Sequence, residues 1–237
     1  MILLAIDTSD ARGSVAVLRD WETVAAKVQD TGGEYSGWLL GAVGDALTAA
    51  GKRMREIDVL AVSTGPGSFT GLRVGLTTVK AWAEVYGKPV VGVSRLEAMS
   101  RLVERRSGPV AAFYDAQRGQ LFGGLYRALY GRVARVGEEM VTTPGAFLEE
   151  AEREAAKEAK RESISWISLD PELVTSLEGW KRRLETGDTM ERCKPDLAVA
   201  VGKVAEGRAR QGLFTNTLEL DANYVRRSDA EIFWKGR

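Results

Sequence analysis

The sequence contains no histidine. Histidine is the usual general base near neutral pH and the commonest metal ligand. Its absence excludes a Ser-His-Asp or Cys-His pair and any histidine-built zinc or iron centre. There is one cysteine, Cys193. A single thiol can form neither an intrachain disulfide nor a thiolate cage, and that scarcity fits a reducing compartment. Neither sign of charge is in excess: Lys+Arg is 33 and Asp+Glu is 33. A free-standing nucleic-acid binder carries a basic surplus, although neutrality still suits a subunit whose partner holds the nucleic acid. No apolar run approaches the ~20 residues of a membrane span. The apolar stretch within Met1 to Asp10 is too short, and lacks the basic lead, of a signal peptide. These absences predict a cytoplasmic protein with no membrane contact and no metal. They leave any chemistry to carboxylates, Lys, Tyr, hydroxyls or backbone amides.

What is present is ordinary globular material. The chain has 237 residues, 44% hydrophobic and 28% charged, enough for one large domain or two small lobes. Ile2 to Asp7 is a nearly continuous apolar run, as in a buried strand. Ser14 to Arg19 and Thr23 to Gln29 read as two more strands, and Gly32-Gly33 breaks the chain. Glu34 to about Ala50 reads as a helix with Leu39, Val43, Ala46, Leu47 and Ala50 on one face. Its opposite face carries Gly37, Gly41, Gly44 and Thr48. Each helical glycine costs about 1 kcal/mol against alanine. Three on one stripe therefore suggest a surface where another helix approaches closely, as at other small-residue helix interfaces.

Val59 to Thr64 is the next strand, followed by a glycine-rich loop and a helix from Thr70 to Tyr86. Leu72, Leu76, Val79, Ala83 and Tyr86 form its apolar stripe, widened by Val74, Trp82 and Val85. Arg73, Thr77, Lys80 and Glu84 form a narrow polar face. A helix this apolar is covered on more than one side. Val90 to Ser94 is a strand, and Arg95 to Arg106 reads as helical. Three hairpin-linked strands followed by strand–helix alternation indicate a mixed sheet with helix crossovers. That is the ribonuclease-H-like order of actin, Hsp70 and sugar kinases.

After Ser107-Gly108-Pro109 the pattern restarts. Val110 to Asp115, a polar turn, and Gln120 to Arg127 repeat the opening strand–Asp–turn–strand. Two lobes are expected, an N-terminal one over residues 1–106 and a divergent C-terminal one over 107–237. Thr143-Pro144 marks a helix start, with a solvated helix running to Arg161. Ser163 to Leu169 reads as a strand, Pro171 to about Leu184 as helical, and Pro195 to Gln211 as a helix.

Two features could carry chemistry. The loop from Gly65 through Pro66, Gly67, Ser68, Phe69 and Thr70 to Gly71 joins a strand to a helix N-terminus. Such turns can present N–H groups to an anion or nucleotide, yet no Gly-Lys-Ser/Thr of a phosphate loop follows. On spacing alone a tight structural turn is favoured, with Gly65 and Gly67 supplying unusual backbone angles and Thr70 capping the helix. Asp7 and Asp115 each close a strand before a polar turn. They could face a cleft and hold a metal–nucleotide, or simply cap their turns, and spacing does not decide.

The run Ser63-Thr64-Gly65-Pro66-Gly67-Ser68-Phe69-Thr70-Gly71-Leu72-Arg73, with Leu4-Ala5-Ile6-Asp7-Thr8-Ser9, resembles the TsaB (YeaZ) family. The likeness continues through Val90 to Ser94 and Asp115 to Gln120, and returns at Asn223-Tyr224-Val225-Arg226. It implies a small member of the actin/Hsp70/sugar-kinase superfamily. It also implies a non-catalytic partner of a larger TsaD-like transferase that makes threonylcarbamoyladenosine at position 37 of tRNAs reading codons that begin with A. A TsaE-like ATPase would be the third member, and tRNA would be met only through the complex. The chain alone would be a homodimer, requiring no cofactor of its own, with ATP or ADP contacted at most within the complex. The family's docking surface, carried onto this sequence, is the helix pair 34–50 and 70–86. That places Tyr35, Gly37, Trp38, Gly41, Gly44, Thr48, Arg73, Thr77 and Lys80 at the interface. Members often carry His-Ser-Glu where this chain has Glu34-Tyr35-Ser36-Gly37. Two other classes compete. A stand-alone ATPase or phosphotransferase would use Asp7 and Asp115, but superfamily kinases are longer. A peptidase would need Ser68 or Cys193 to act without a histidine base.

Overall fold

The computed structural model describes residues 1–10, 12–29, 35–104, 107–129, 132–157, 161–223 and 225. Strand β1 (Ile2–Asp7) is buried from Leu3 onward, as a run without alternating polarity must be when it lies mid-sheet. It pairs antiparallel with β2 (Ser14–Arg19), Leu4 opposite Val17. Strand β2 pairs antiparallel with β3 (Glu22–Val28) through a turn with positive φ at Asp20 and Trp21, the geometry of a two-residue hairpin. On its other side β1 runs parallel to β4 (Val59–Gly65), which runs parallel to β5 (Val90–Ser94). The sheet order is β3-β2-β1-β4-β5.

Helices α1 (Tyr35–Ala49) and α2 (Phe69–Tyr86) make the crossovers. Leu39, Val43, Ala46 and Leu47 of α1 join Leu72, Leu76, Val79 and Ala83 of α2 in a core with Leu4, Ile6, Val15 and Val17. Tyr86 and Val85 depart from the expected apolar stripe: they are 42% and 74% exposed. Short helix α3 (Arg95–Ser100) follows β5 and stops well before Arg106.

The second sheet repeats the first. Strands β6 (Ser107–Gln117), β7 (Gln120–Leu129), β8 (Arg132–Thr142), β9 (Ser165–Ser168) and β10 (Thr189–Arg192) stand in the order β10-β9-β6-β7-β8. Here β6 takes the place of β1, antiparallel to β7 and parallel to β9. Helix α4 (Pro144–Ala155), capped by Thr143, links β8 to β9. It ends earlier than expected and is not simply solvated, since Phe147, Leu148, Ala151 and Ala155 are buried. Phe113, Phe147, Trp166 and Trp180 pack edge-on or tilted at 5.6–6.2 Å between ring centroids. Between β9 and β10 the expected single helix is two short ones, α5 (Glu172–Thr175) and α6 (Trp180–Glu185).

The chain forms two compact units, and they are not the contiguous halves expected. Lys194–Ala222 belongs with Met1–Arg101, while Leu102–Cys193 forms the second unit together with the segment from Asn223. The reason is helix α7 (Ala198–Ala209), which packs on β1, β2, β4 and β5. A Cβ at Gly202 would lie 2.5 Å from Leu18 Cδ1 and 3.2 Å from Ala5 Cβ. Leu18 and Ala5 alternate with Leu4, Ile6 and Val17 along their strands, so α7 covers the sheet face opposite α1 and α2. Of the tail residues singled out in the sequence, Tyr224 and Arg226 lie outside the described residues. Asn223 donates to Glu139 at 2.5 Å.

Candidate functional site

The glycine-rich loop leaves β4 at Gly65 (φ +95°), continues through a cis Gly65–Pro66 bond, and enters α2. Ser68, not Thr70, is the N-cap: its hydroxyl accepts from Gly71 N–H at 3.3 Å. The loop is pressed onto the turn after β1. Ser68 N–H donates to Ser9 O at 2.8 Å, and a Cβ at Gly67 would fall 2.1 Å from that same oxygen. Thr8 Oγ1 donates to Gly71 O at 2.7 Å, and a Cβ at Gly75 would meet Thr8 Oγ1 at 2.4 Å. Gly67 therefore permits close approach of backbone to backbone, and Gly75 leaves room for the Thr8 side chain. The N–H groups of Ser68, Gly71 and Leu72 are all bonded within the unit.

Asp7 is 1% exposed. Its Oδ1 accepts from Ser9 N–H at 3.0 Å and from the Ser9 hydroxyl. Its Oδ2 accepts no hydrogen bond among the described residues, and faces Arg95 Nε at 3.4 Å. Arg95, 0% exposed, also donates through Nη2 to Asp10 Oδ2 at 3.1 Å. The actin-like fold implies a metal–nucleotide at this strand end, and the residues present do not fit one: the carboxylate already faces a cation, and the loop opposite fills the space above Ser9. In the second unit Asp115 Oδ1 accepts from Gln117 N–H at 2.7 Å, capping its own turn, and Asp115 N–H donates to Asp170 at 2.9 Å. Ser68 is committed to its cap, and Cys193 is buried. No group of three or more acidic or cysteine side chains that could hold a metal occurs among the described residues.

The other candidate surface is the outer side of α1 and α2. Gly37, Gly41, Gly44 and Thr48 are all exposed along α1. Among the described residues, a Cβ added at any of the three glycines would meet no atom within 4 Å outside the helix's own backbone. Between the helices lies a groove of about 540 Å³ lined by Leu39, Leu40, Phe69, Thr70, Arg73, Val74, Thr77 and Thr78. Leu40 is 60% and Phe69 42% exposed. The Arg73 guanidinium stacks over the Phe69 ring, 3.8 Å from its centroid, a cation–π contact that holds both side chains at the groove mouth. Arg73 and Thr77 are exposed, and Lys80 and Trp38 half-buried. Tyr35 opens α1, and its side chain lies outside the described residues. Of the α1 and α2 residues singled out in the sequence, Arg73 and Thr77 line this groove, together with Leu40 and Phe69, which the sequence did not single out. Leu40 sits next to the core residue Leu39, so an exposed leucine there has no separate sequence signal. Arg95 was hidden differently: a cation in the first turn of a helix opposes the helix dipole, and that conflict was the available clue.

Comparison with known proteins places these features. The family model described as "TsaD: tRNA N6-adenosine threonylcarbamoyltransferase" matches residues 29–234. The tRNA threonylcarbamoyladenosine biosynthesis protein TsaB of Bacillus subtilis (strain 168) is 27% identical, across 99% of this chain and 98% of its own. The Escherichia coli (strain K12) protein of that name is 36% identical over 54% of this chain and 55% of its own. A Pseudomonas aeruginosa crystal structure, described as an uncharacterized protein with similarity to peptidase YEAZ, superposes with a TM-score of 0.75 at 25% identity. It covers 95% of this chain and 99% of its own. The ROK hexokinase of Thermus thermophilus, with a TM-score of 0.52 at 15% identity, shows the actin-like fold alone.

Proposed function

Because this chain belongs to the tRNA N6-adenosine threonylcarbamoyltransferase (TsaD) family, in its TsaB (YeaZ) branch, we propose that it serves threonylcarbamoyladenosine formation on tRNA as a non-catalytic partner subunit. It docks the TsaD-like transferase through α1 and α2, works with a TsaE-like ATPase, and pairs with itself when alone. tRNA is met through the assembly, in keeping with a net charge of zero.

One observation carries this reading: the open glycine stripe. Each glycine costs α1 about 1 kcal/mol relative to alanine, and a methyl group at Gly37, Gly41 or Gly44 would touch nothing among the described residues. No internal packing repays that cost. A partner helix seated at backbone distance does, with Leu40 and Phe69 as apolar anchors beside it and Arg73 at the rim.

Size-exclusion chromatography with light scattering tests this, using the TsaD-like paralogue of the same organism. Wild type is expected to form a one-to-one complex, and Gly41→Leu to weaken it by about 100-fold or more, the order of a hot-spot loss. A wild-type chain that ignores the paralogue sinks the proposal.

A further inference from the structure

Arg95 is a fully buried guanidinium at the first position of α3, at the N-terminus whose dipole repels it. A buried cation in such a place persists only when carboxylates hold it. Two do: Asp7, itself buried, at 3.4 Å, and Asp10 at 3.1 Å. The Asp7 site is enclosed from the other side by Ser9 and by the loop that Gly67 lets settle onto Ser9 O.

From this we infer that Arg95 is the resident cation of the Asp7 site. In this unit the guanidinium stands where the actin-like fold would otherwise need a divalent ion with its nucleotide, so the strand end is complete without either. The inference goes beyond the partner-subunit reading and does not depend on it: docking concerns the outer faces of α1 and α2, whereas this concerns the end of β1. Any nucleotide met by the assembly is then bound elsewhere than at Asp7.

Removing the guanidinium leaves a buried carboxylate without its counter-ion. Arg95→Gly is expected to lower the melting temperature by roughly 10 °C, and to leave a space that fits free guanidinium. Low-millimolar guanidinium chloride, against sodium chloride at equal strength, should raise the melting temperature of Arg95→Gly. It should not raise that of wild type or of Asp7→Asn with Arg95→Gly, and MgATP should leave wild type unmoved. If Arg95→Gly does not fold, the isosteric pair Asp7→Asn and Arg95→Met decides: the double variant should be more stable than the sum of the single losses allows. Three results would overturn the inference: additive losses in that cycle, an Arg95→Gly chain that melts with wild type, or a wild-type rise with MgATP that Asp7→Asn abolishes.

Discussion

Glu191 on the edge strand β10 has its carboxyl held above the ordinary glutamate range, first by burial and then by the nearby charge of Glu104. Its folded-state pKa is raised, so the folded chain holds this proton more tightly than the unfolded chain does. Stability is therefore lost as pH rises through the window above the unfolded value and regained as pH falls. Glu191→Gln is expected to stabilise the protein at neutral pH by a few tenths of a kcal/mol, since the site is largely solvent-screened. It should also flatten the pH dependence of urea midpoints as pH rises above the ordinary glutamate value. A variant less stable than wild type at pH 7 would show that the charge is compensated. Single residues were also where the sequence was least legible. Asp7 was visible as a strand-terminal carboxylate, but whether it would meet a metal or cap its turn stayed open. The deciding partner, Arg95, is distant in sequence and reaches it only through the alignment of β1 with β5 across β4.

At the scale of elements, the two helices of the proposed docking surface were legible because their apolar residues recur at helical spacing. Their outer faces were legible too, because glycines on one stripe are a cost that needs a reason. The same reasoning separates docking from stability. Gly41→Ala should raise the urea-derived stability of the isolated chain by about 1 kcal/mol, since a methyl group there meets nothing, whereas Gly41→Leu should spoil docking while the chain stays folded. Helix α7 shows the opposite behaviour. Gly202 is closely packed on Leu18 and Ala5, so Gly202→Val should destabilise by about 1–3 kcal/mol through overpacking. Equal melting temperatures for Gly41→Ala and Gly202→Val would contradict this assignment of the two glycines. Strands β8 and β10 went unread for a local reason: Gly137, Glu138 and Glu139 interrupt the alternation of one, and the other is only four residues long.

At the scale of the whole molecule, the internal repeat seen in two Asp-ended strands extends to the full order of both sheets. Topology was legible because each opening hairpin announces its unit. The boundary was not, because membership of a unit is decided by which sheet face a helix covers, and Pro195 to Gln211 carries no mark of its destination. The consequence is testable by dissection. A fragment of residues 1–106 keeps α1 and α2 but loses α7, laying bare the sheet face of Leu3, Ala5, Ala16 and Leu18, all buried in the intact chain. An apolar sheet face without its cover favours aggregation over folding. That fragment should lack a cooperative urea transition. A chain joining 1–101 to 194–222 through a flexible glycine-serine linker restores the cover, and should unfold in a single transition while still binding the TsaD-like paralogue. Cooperative folding of 1–106 alone would show that α7 only decorates the first unit. A folded 1–101/194–222 chain that no longer binds would instead move the docking surface away from α1 and α2.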